Sequence, residues 1–93
     1  MAKLTFKAGS TPLKLHTHFA SGKSITYDEA YRDLNIRNLA QRIKDLSLKF
    51  DDAGIESPLM VFDEPKSGGG THARYFYRGF GCALENRPGV RKY

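Results

Sequence analysis

One pairing of signals constrains this chain more than any other: a helix-start motif followed at short range by an apolar stripe at helical spacing. The stripe is Leu39, Ile43, Leu46 and Phe50, at i, i+4, i+7 and i+11. Those positions share one side of an α-helix, which predicts a helix beginning near Arg37 or Asn38 and ending near Lys49 or Phe50. The start motif is Thr26 with Glu29 three residues later. The threonine hydroxyl can accept from an early backbone N–H while the glutamate reaches back to the N–H of Thr26, a capping box. It predicts a helix from about Tyr27 to Leu34 with Ala30, Tyr31 and Leu34 on its inward edge, and with Asp28 and Glu29 at the positive end of its dipole. Leu34-Asn35-Ile36-Arg37 joins the two, and asparagine tolerates the left-handed backbone such a tight connection needs. Two short helices, a turn of about four residues and a polar outer face on the second helix are the ingredients of a helix-turn-helix.

The flanking segments are shorter and simpler. Residues 3–8, KLTFKA, alternate apolar and polar and predict a half-buried strand. After Gly9, Ser10 is an N-cap and Pro12 fits the first turn of a helix running to about Ala20, with Leu15 and Phe19 on one face. Gly22 ends it. Past Gly54 the period changes: residues 59–62, LMVF, and residues 72–77, HARYFY, read as strands. Residues 63–71 between them, DEPKSGGGT, read as a long glycine-rich tip, so the pair is a β-hairpin. Residues 78–93 have turn chemistry, four basic residues against Glu85 and no periodicity. Residues 86–93 are expected to form a flexible tail.

Ninety-three residues make one domain with a single modest core. Fifteen Lys and Arg against ten Asp and Glu give a net charge of +5, which favours an anionic partner, nucleic acid before membrane. A single cysteine, Cys82, excludes an intramolecular disulfide framework and suits a reducing cytosol. No apolar run approaches the ~18 residues of a membrane span, and no signal-peptide core is present. These features predict a soluble, cytoplasmic protein.

The order strand, helix, helix-turn-helix, hairpin is that of a winged helix, an α+β fold. Here the chain resembles the small winged helix-turn-helix domains of phage and prophage proteins. The residues that carry the resemblance are Gly22-Lys23-Ser24-Ile25-Thr26, Glu29-Ala30, Leu39-Ala40-Gln41-Arg42-Ile43-Lys44-Asp45-Leu46, and Ile55 leading into the wing. It covers residues 12–77, with the block at 39–46 the telling part. The chain departs from the pattern in an extra stretch at residues 47–53 and in a short, polar first helix. The resemblance implies a DNA-binding regulator or accessory factor, phage- or prophage-encoded, acting in the bacterial cytoplasm.

In such a fold the third helix enters the major groove. The face opposite its apolar stripe carries Arg37, Gln41, Lys44 and Leu48, flanked by Asn38 and Asp45. Arginine reads guanine N7 and O6, and asparagine or glutamine reads adenine N6 and N7, so Arg37, Asn38, Gln41 and Lys44 are the candidate base readers. Arg42 and Lys49 lie on the flanks, suited to phosphates. On the hairpin, Lys66, Gly69 within the triple glycine, and Arg74 are candidates for the neighbouring backbone. Tyr75, Phe76 and Tyr77 are expected in core and half-exposed sheet positions rather than as a stacking platform. His16 and His18, two apart on a helix, fall on different faces, and no metal site, cofactor or catalytic constellation is expected.

A second reading comes from a different class. Leu48 and Asp45 sit on the presumed DNA face, where neither helps. A winged-helix surface could instead dock on a host protein or nucleoprotein complex, as an anti-restriction or anti-CRISPR inhibitor. A third reading, an architectural factor of the excisionase type, leans on the wing and the basic tail. The sequence leaves the oligomeric state open, a homodimer included.

Overall fold

The computed structural model describes residues 4–93. Three helices, α1 (Thr11–Ala20), α2 (Tyr27–Leu34) and α3 (Leu39–Asp52), precede the strands β1 (Leu59–Pro65) and β2 (Thr71–Tyr77). A 3₁₀ turn over Ala83–Asn86 and a short strand β3 (Arg91–Lys92) complete the chain. The sheet is antiparallel throughout, in the order β2-β1-β3, so the domain is α+β.

Local chemistry explains where each helix begins and ends. The Ser10 hydroxyl accepts from the Leu13 N–H at 3.4 Å and starts α1, which buries Leu15 and Phe19. Both halves of the capping box at α2 are made: Glu29 N–H donates to Thr26 Oγ1 at 3.4 Å, and Thr26 N–H donates to Glu29 Oε1 at 3.2 Å. Asn35 closes α2 in the left-handed region at φ 54°, and the Ile36 N–H returns to the Ala30 carbonyl at 3.0 Å. The α3 stripe of Leu39, Ile43, Leu46 and Phe50 is buried as its spacing requires. α3 itself runs to Asp52, two residues past the expected end, and stops where the Ile55 N–H bonds the Phe50 carbonyl across Gly54.

Several expectations need correction. Residues 4–8 form no strand, and Lys3 lies outside the described residues. The alternation is nonetheless real, because Leu4 and Phe6 pack on the helical core and Phe6 stacks on the His16 ring at 4.8 Å. What the segment lacks is a neighbouring strand among the described residues. Tyr31 was expected on the inward edge of α2 but is half-exposed, as is Tyr27; Ala30, Leu34 and Ile36 fill that side instead. The hairpin tip is shorter than its composition suggested. Asp63, Glu64 and Pro65 belong to β1 and Thr71 to β2, so only residues 66–70 turn the chain, closed by Lys66 N–H to the Gly70 carbonyl at 2.9 Å.

The sheet has two covered faces. On one, Leu59 and Tyr77, with Tyr75 at the margin, join the helical core. On the other, Met60, Phe62 and Phe76 lie beneath Cys82, Leu84 and Val90, and the Arg87 guanidinium sits 4.8 Å over the Phe62 ring. Residues 86–93 are therefore docked rather than free: β3 pairs Lys92 with Met60 and Arg91 with Val61, and the Tyr93 N–H donates to the Leu59 carbonyl at 3.1 Å. Ahead of α2, Ile25 forms a two-bond bridge with Tyr75, both bonds 2.9 Å. That bridge ties the segment between α1 and α2 to the free edge of β2.

Candidate nucleic-acid interface

Burying the apolar side of α3 turns its other side outward. Arg37, Asn38, Gln41, Lys44 and Lys49 are all exposed, and Arg42 is half-buried. Asn38 occupies the N-cap position but makes no capping side-chain bond among the described residues, which leaves its amide free to reach a ligand. Lys44 and Lys49 have no carboxylate within ion-pair distance among the described residues. Leu48 lies on the same surface, 47% exposed.

Asp45 organises the middle of this face. Its Oδ1 accepts from Gln41 Nε2 at 3.0 Å, and its Oδ2 accepts from Arg42 Nη1 at 2.9 Å. Of the expected base readers, Gln41 thus has one amide N–H engaged, with its second N–H and its carbonyl oxygen still available. Of the expected phosphate contacts, Arg42 is partly neutralised and Lys49 is not. The sequence placed Asp45 as a flanking acid; its spacing of four from Gln41 and three from Arg42 was the signal that it would hold both.

The hairpin candidates divide. Lys66 and Gly69 sit at the exposed tip, in a cleft that also takes in Asp28 at the start of α2. Arg74 does not belong with them. Its side chain is 15% exposed and is held by carboxylates on both sides: Glu64 through Nε at 2.9 Å and Nη2 at 2.8 Å, and Glu29 through Nη1 at 3.0 Å and Nη2 at 3.2 Å. Ser24 Oγ accepts a fifth bond at 3.0 Å. A guanidinium satisfied this fully has no donor left for a phosphate, so its assignment as a DNA contact is withdrawn. The cluster was readable in principle. Glu64, His72 and Arg74 fall on one sheet face at period two, and Glu64 pairs with His72 across the strands.

The histidines are also engaged: His16 Nδ1 is 2.9 Å from the Tyr77 hydroxyl, His18 Nε2 donates to the Ser24 carbonyl at 2.9 Å, and His72 Nε2 donates to Glu64 at 2.8 Å. Arg74 first, then His72, hold the Glu64 carboxyl down to about 2. Tyr75 is half-buried while Phe76 and Tyr77 are fully buried, which places these aromatics in the core rather than on a stacking surface. No helix among the described residues is long and apolar enough to cross a membrane. No protein-family profile matches the chain, and neither a curated protein nor a solved structure is detectably similar to it.

Proposed function

We propose that this chain is a winged helix-turn-helix protein that binds double-stranded DNA, acting as a transcriptional regulator or DNA-binding accessory factor of the phage or prophage type. The observation that carries the reading is the outer surface of α3: Arg37, Asn38, Gln41 and Lys44 stand exposed on the side away from a buried Leu39–Ile43–Leu46–Phe50 stripe. Donors and an amide acceptor on the first turns of an exposed helix match what a major groove displays. The winged-helix reading is supported by the element order and by the Ile25–Tyr75 bridge, which adds the segment before α2 to the edge of a hairpin that follows α3. Lys49 and Lys66 supply phosphate contacts flanking the reading surface, with the Gly69 backbone close beside Lys66.

The test is fluorescence anisotropy with random-sequence duplex DNA at about 50 mM and about 200 mM salt, followed by selection of preferred sites from a random library. Binding that weakens steeply with salt and enriches a defined site is the expected result. Absence of binding at the lower salt overturns the proposal.

One observation favours a different partner. Leu48, 47% exposed, lies on the same surface as the half-buried acid Asp45. An apolar residue beside an acid suits a protein surface better than a phosphate backbone. On this second reading the same face docks on a host protein or nucleoprotein complex and inhibits it. Leu48→Asp separates the two: it abolishes protein docking, whereas for DNA it adds one repulsive charge at the far end of the helix.

A further inference from the structure

We propose that Arg74 is the positioning residue that fixes the hairpin tip relative to the α2–α3 pair, so that Lys66 and the outer face of α3 meet the same duplex. The proposal rests on the DNA-binding reading above and deepens it by naming what sets the wing's angle.

Arg74 joins three separate stretches of chain. Ser24 precedes α2, Glu29 lies in its first turn, and Glu64 is on β1 near the hairpin tip. Its five bonds run from Nε, Nη1 and Nη2, and each carboxylate is gripped by two parallel N–H groups. Paired forks of this kind fix direction as well as distance, which a single point contact does not. Glu29 is also half of the capping box, since its Oε1 receives both the Thr26 N–H at 3.2 Å and Arg74 Nη1 at 3.0 Å. The start of α2 and the outer part of the hairpin are thereby held by the same carboxylate–guanidinium unit. His72 adds a further bond to Glu64 from within the hairpin.

The charges explain why this unit sets an angle. Glu29 and Glu64 face each other across the guanidinium with side chains 30% and 22% exposed. Without Arg74 two carboxylates confront each other in a half-buried site, and the least costly relief is for the hairpin to swing away from α2. Lysine cannot replace it, because three donors on a flexible stem cannot fill five fixed positions. The Ile25–Tyr75 bridge, one residue along β2, becomes the only backbone tie between the helix-turn-helix segment and the hairpin among the described residues, and acts as the pivot.

The experiment has two arms on the full chain. The first uses no DNA. Residual dipolar couplings of wild type should fit one alignment tensor for α2, α3 and the β1–β2 hairpin together. Arg74→Met should require separate tensors for helices and hairpin. A second variant, Arg74→Met with Glu29→Gln and Glu64→Gln, removes the opposed charges, protecting the fold while still lacking the clamp; it too should need two tensors. A single tensor in both variants overturns the proposal whatever the protein binds. The second arm measures the salt slope of DNA binding. Lys66→Ala should lower the slope by about one in wild type and by nothing measurable in the Arg74→Met background. Equal effects in both backgrounds overturn the link between Arg74 and the wing contact. Wild type that binds no DNA overturns the DNA reading, and the first arm still decides the clamp.

Discussion

The Tyr77 hydroxyl lies 2.9 Å from Nδ1 of His16, inside a ring of aromatic side chains. Phe6 stacks on the imidazole at 4.8 Å, and the Phe50 and Tyr77 rings lie 6.2 and 5.6 Å away. Burial lowers the His16 pKa below its usual value and raises that of the Tyr77 phenol, so both groups are neutral near pH 7. Either group can then be the donor, according to which ring nitrogen of the neutral imidazole carries the proton. α1 is thus joined to the end of β2 through a histidine whose burial favours its uncharged form.

A pH dependence of stability follows from this pair. In the unfolded chain His16 takes up a proton near pH 6.5. In the folded protein it does so only at lower pH, so below about 6.5 the unfolded state binds more protons and stability falls as pH falls. Glu64 adds a second step of the same sign. Its carboxyl, at about 2 in the fold against an ordinary 4.5, contributes stability above pH 4.5 that is lost as the pH descends toward 2. Thermal melts from pH 7.5 to 2.5 should therefore show a first decline beginning near 6.5 and a second below 4.5. In His16→Gln, which keeps an acceptor but does not titrate, the first decline should flatten and the second persist. An unchanged first decline in that variant would assign it to another group.

Gly22 is predicted to be intolerant of any side chain. Its φ is +83°, and a Cβ there would sit 2.8 Å from the Phe80 carbonyl oxygen, a backbone atom that cannot step aside alone. Gly22→Ala should destabilise by about 1–3 kcal/mol, combining the cost of left-handed alanine with displacement of the Phe80 turn. Urea denaturation with an unchanged m value is the check, and a loss under about 0.5 kcal/mol contradicts the packing.

These two sites show where the chain was readable before folding and where it was not. The capping box, the α3 stripe and the helix-ending roles of Asn35 and Gly22 depend on residues a few positions apart, and sequence spacing reports them directly. The coarse outline of three helices followed by a hairpin came from the same local signals. What escaped were relationships across the chain. Arg74 looked like a free cation because its two carboxylates are 45 and 10 residues away. The tail looked loose because the apolar residues it covers alternate with the helix-facing ones along β1 and β2, and nothing in residues 78–93 is periodic. Tyr31 looked buried because helical spacing gives a side but not the width of the covered stripe.

The docked tail makes its basic residues structural. Arg91 lies 3.7 Å from Asp63, and Lys92 pairs with Glu56. Replacing both with alanine should leave the salt slope of DNA binding unchanged within error and lower stability by less than about 1 kcal/mol, as exposed pairs do. A slope reduced by about two would place the tail on the DNA and favour the architectural reading.

Gln41 and Lys49 should differ in kind. Gln41→Ala removes an amide from the middle of the proposed reading face and is expected to relax preference at one base pair, by about 1–3 kcal/mol of discrimination. Lys49→Ala is expected to weaken all sequences equally and to lower the salt slope by about one. Site selection and salt titration on both variants decide it. Equal losses on every sequence in both would argue against base reading.

Asp45 carries the sharpest consequence for specificity. It holds one N–H of the Gln41 amide and so fixes the orientation of the group, leaving the second N–H and the carbonyl oxygen to meet a base, the donor and acceptor that suit adenine N7 and N6. It also offsets the charge of Arg42, one of the proposed phosphate contacts. Asp45→Ala should do two opposed things at once. Affinity for random DNA should rise, because a negative charge leaves the interface and Arg42 is released. Discrimination at the position Gln41 is proposed to read should fall, because the amide, no longer held, can then rotate to exchange its donor and acceptor. A selection experiment on this variant should recover a site degenerate at one base pair with a higher non-specific background. If affinity falls instead, Asp45 is holding this surface in shape rather than tuning it, and its hold on the Gln41 amide carries no specificity.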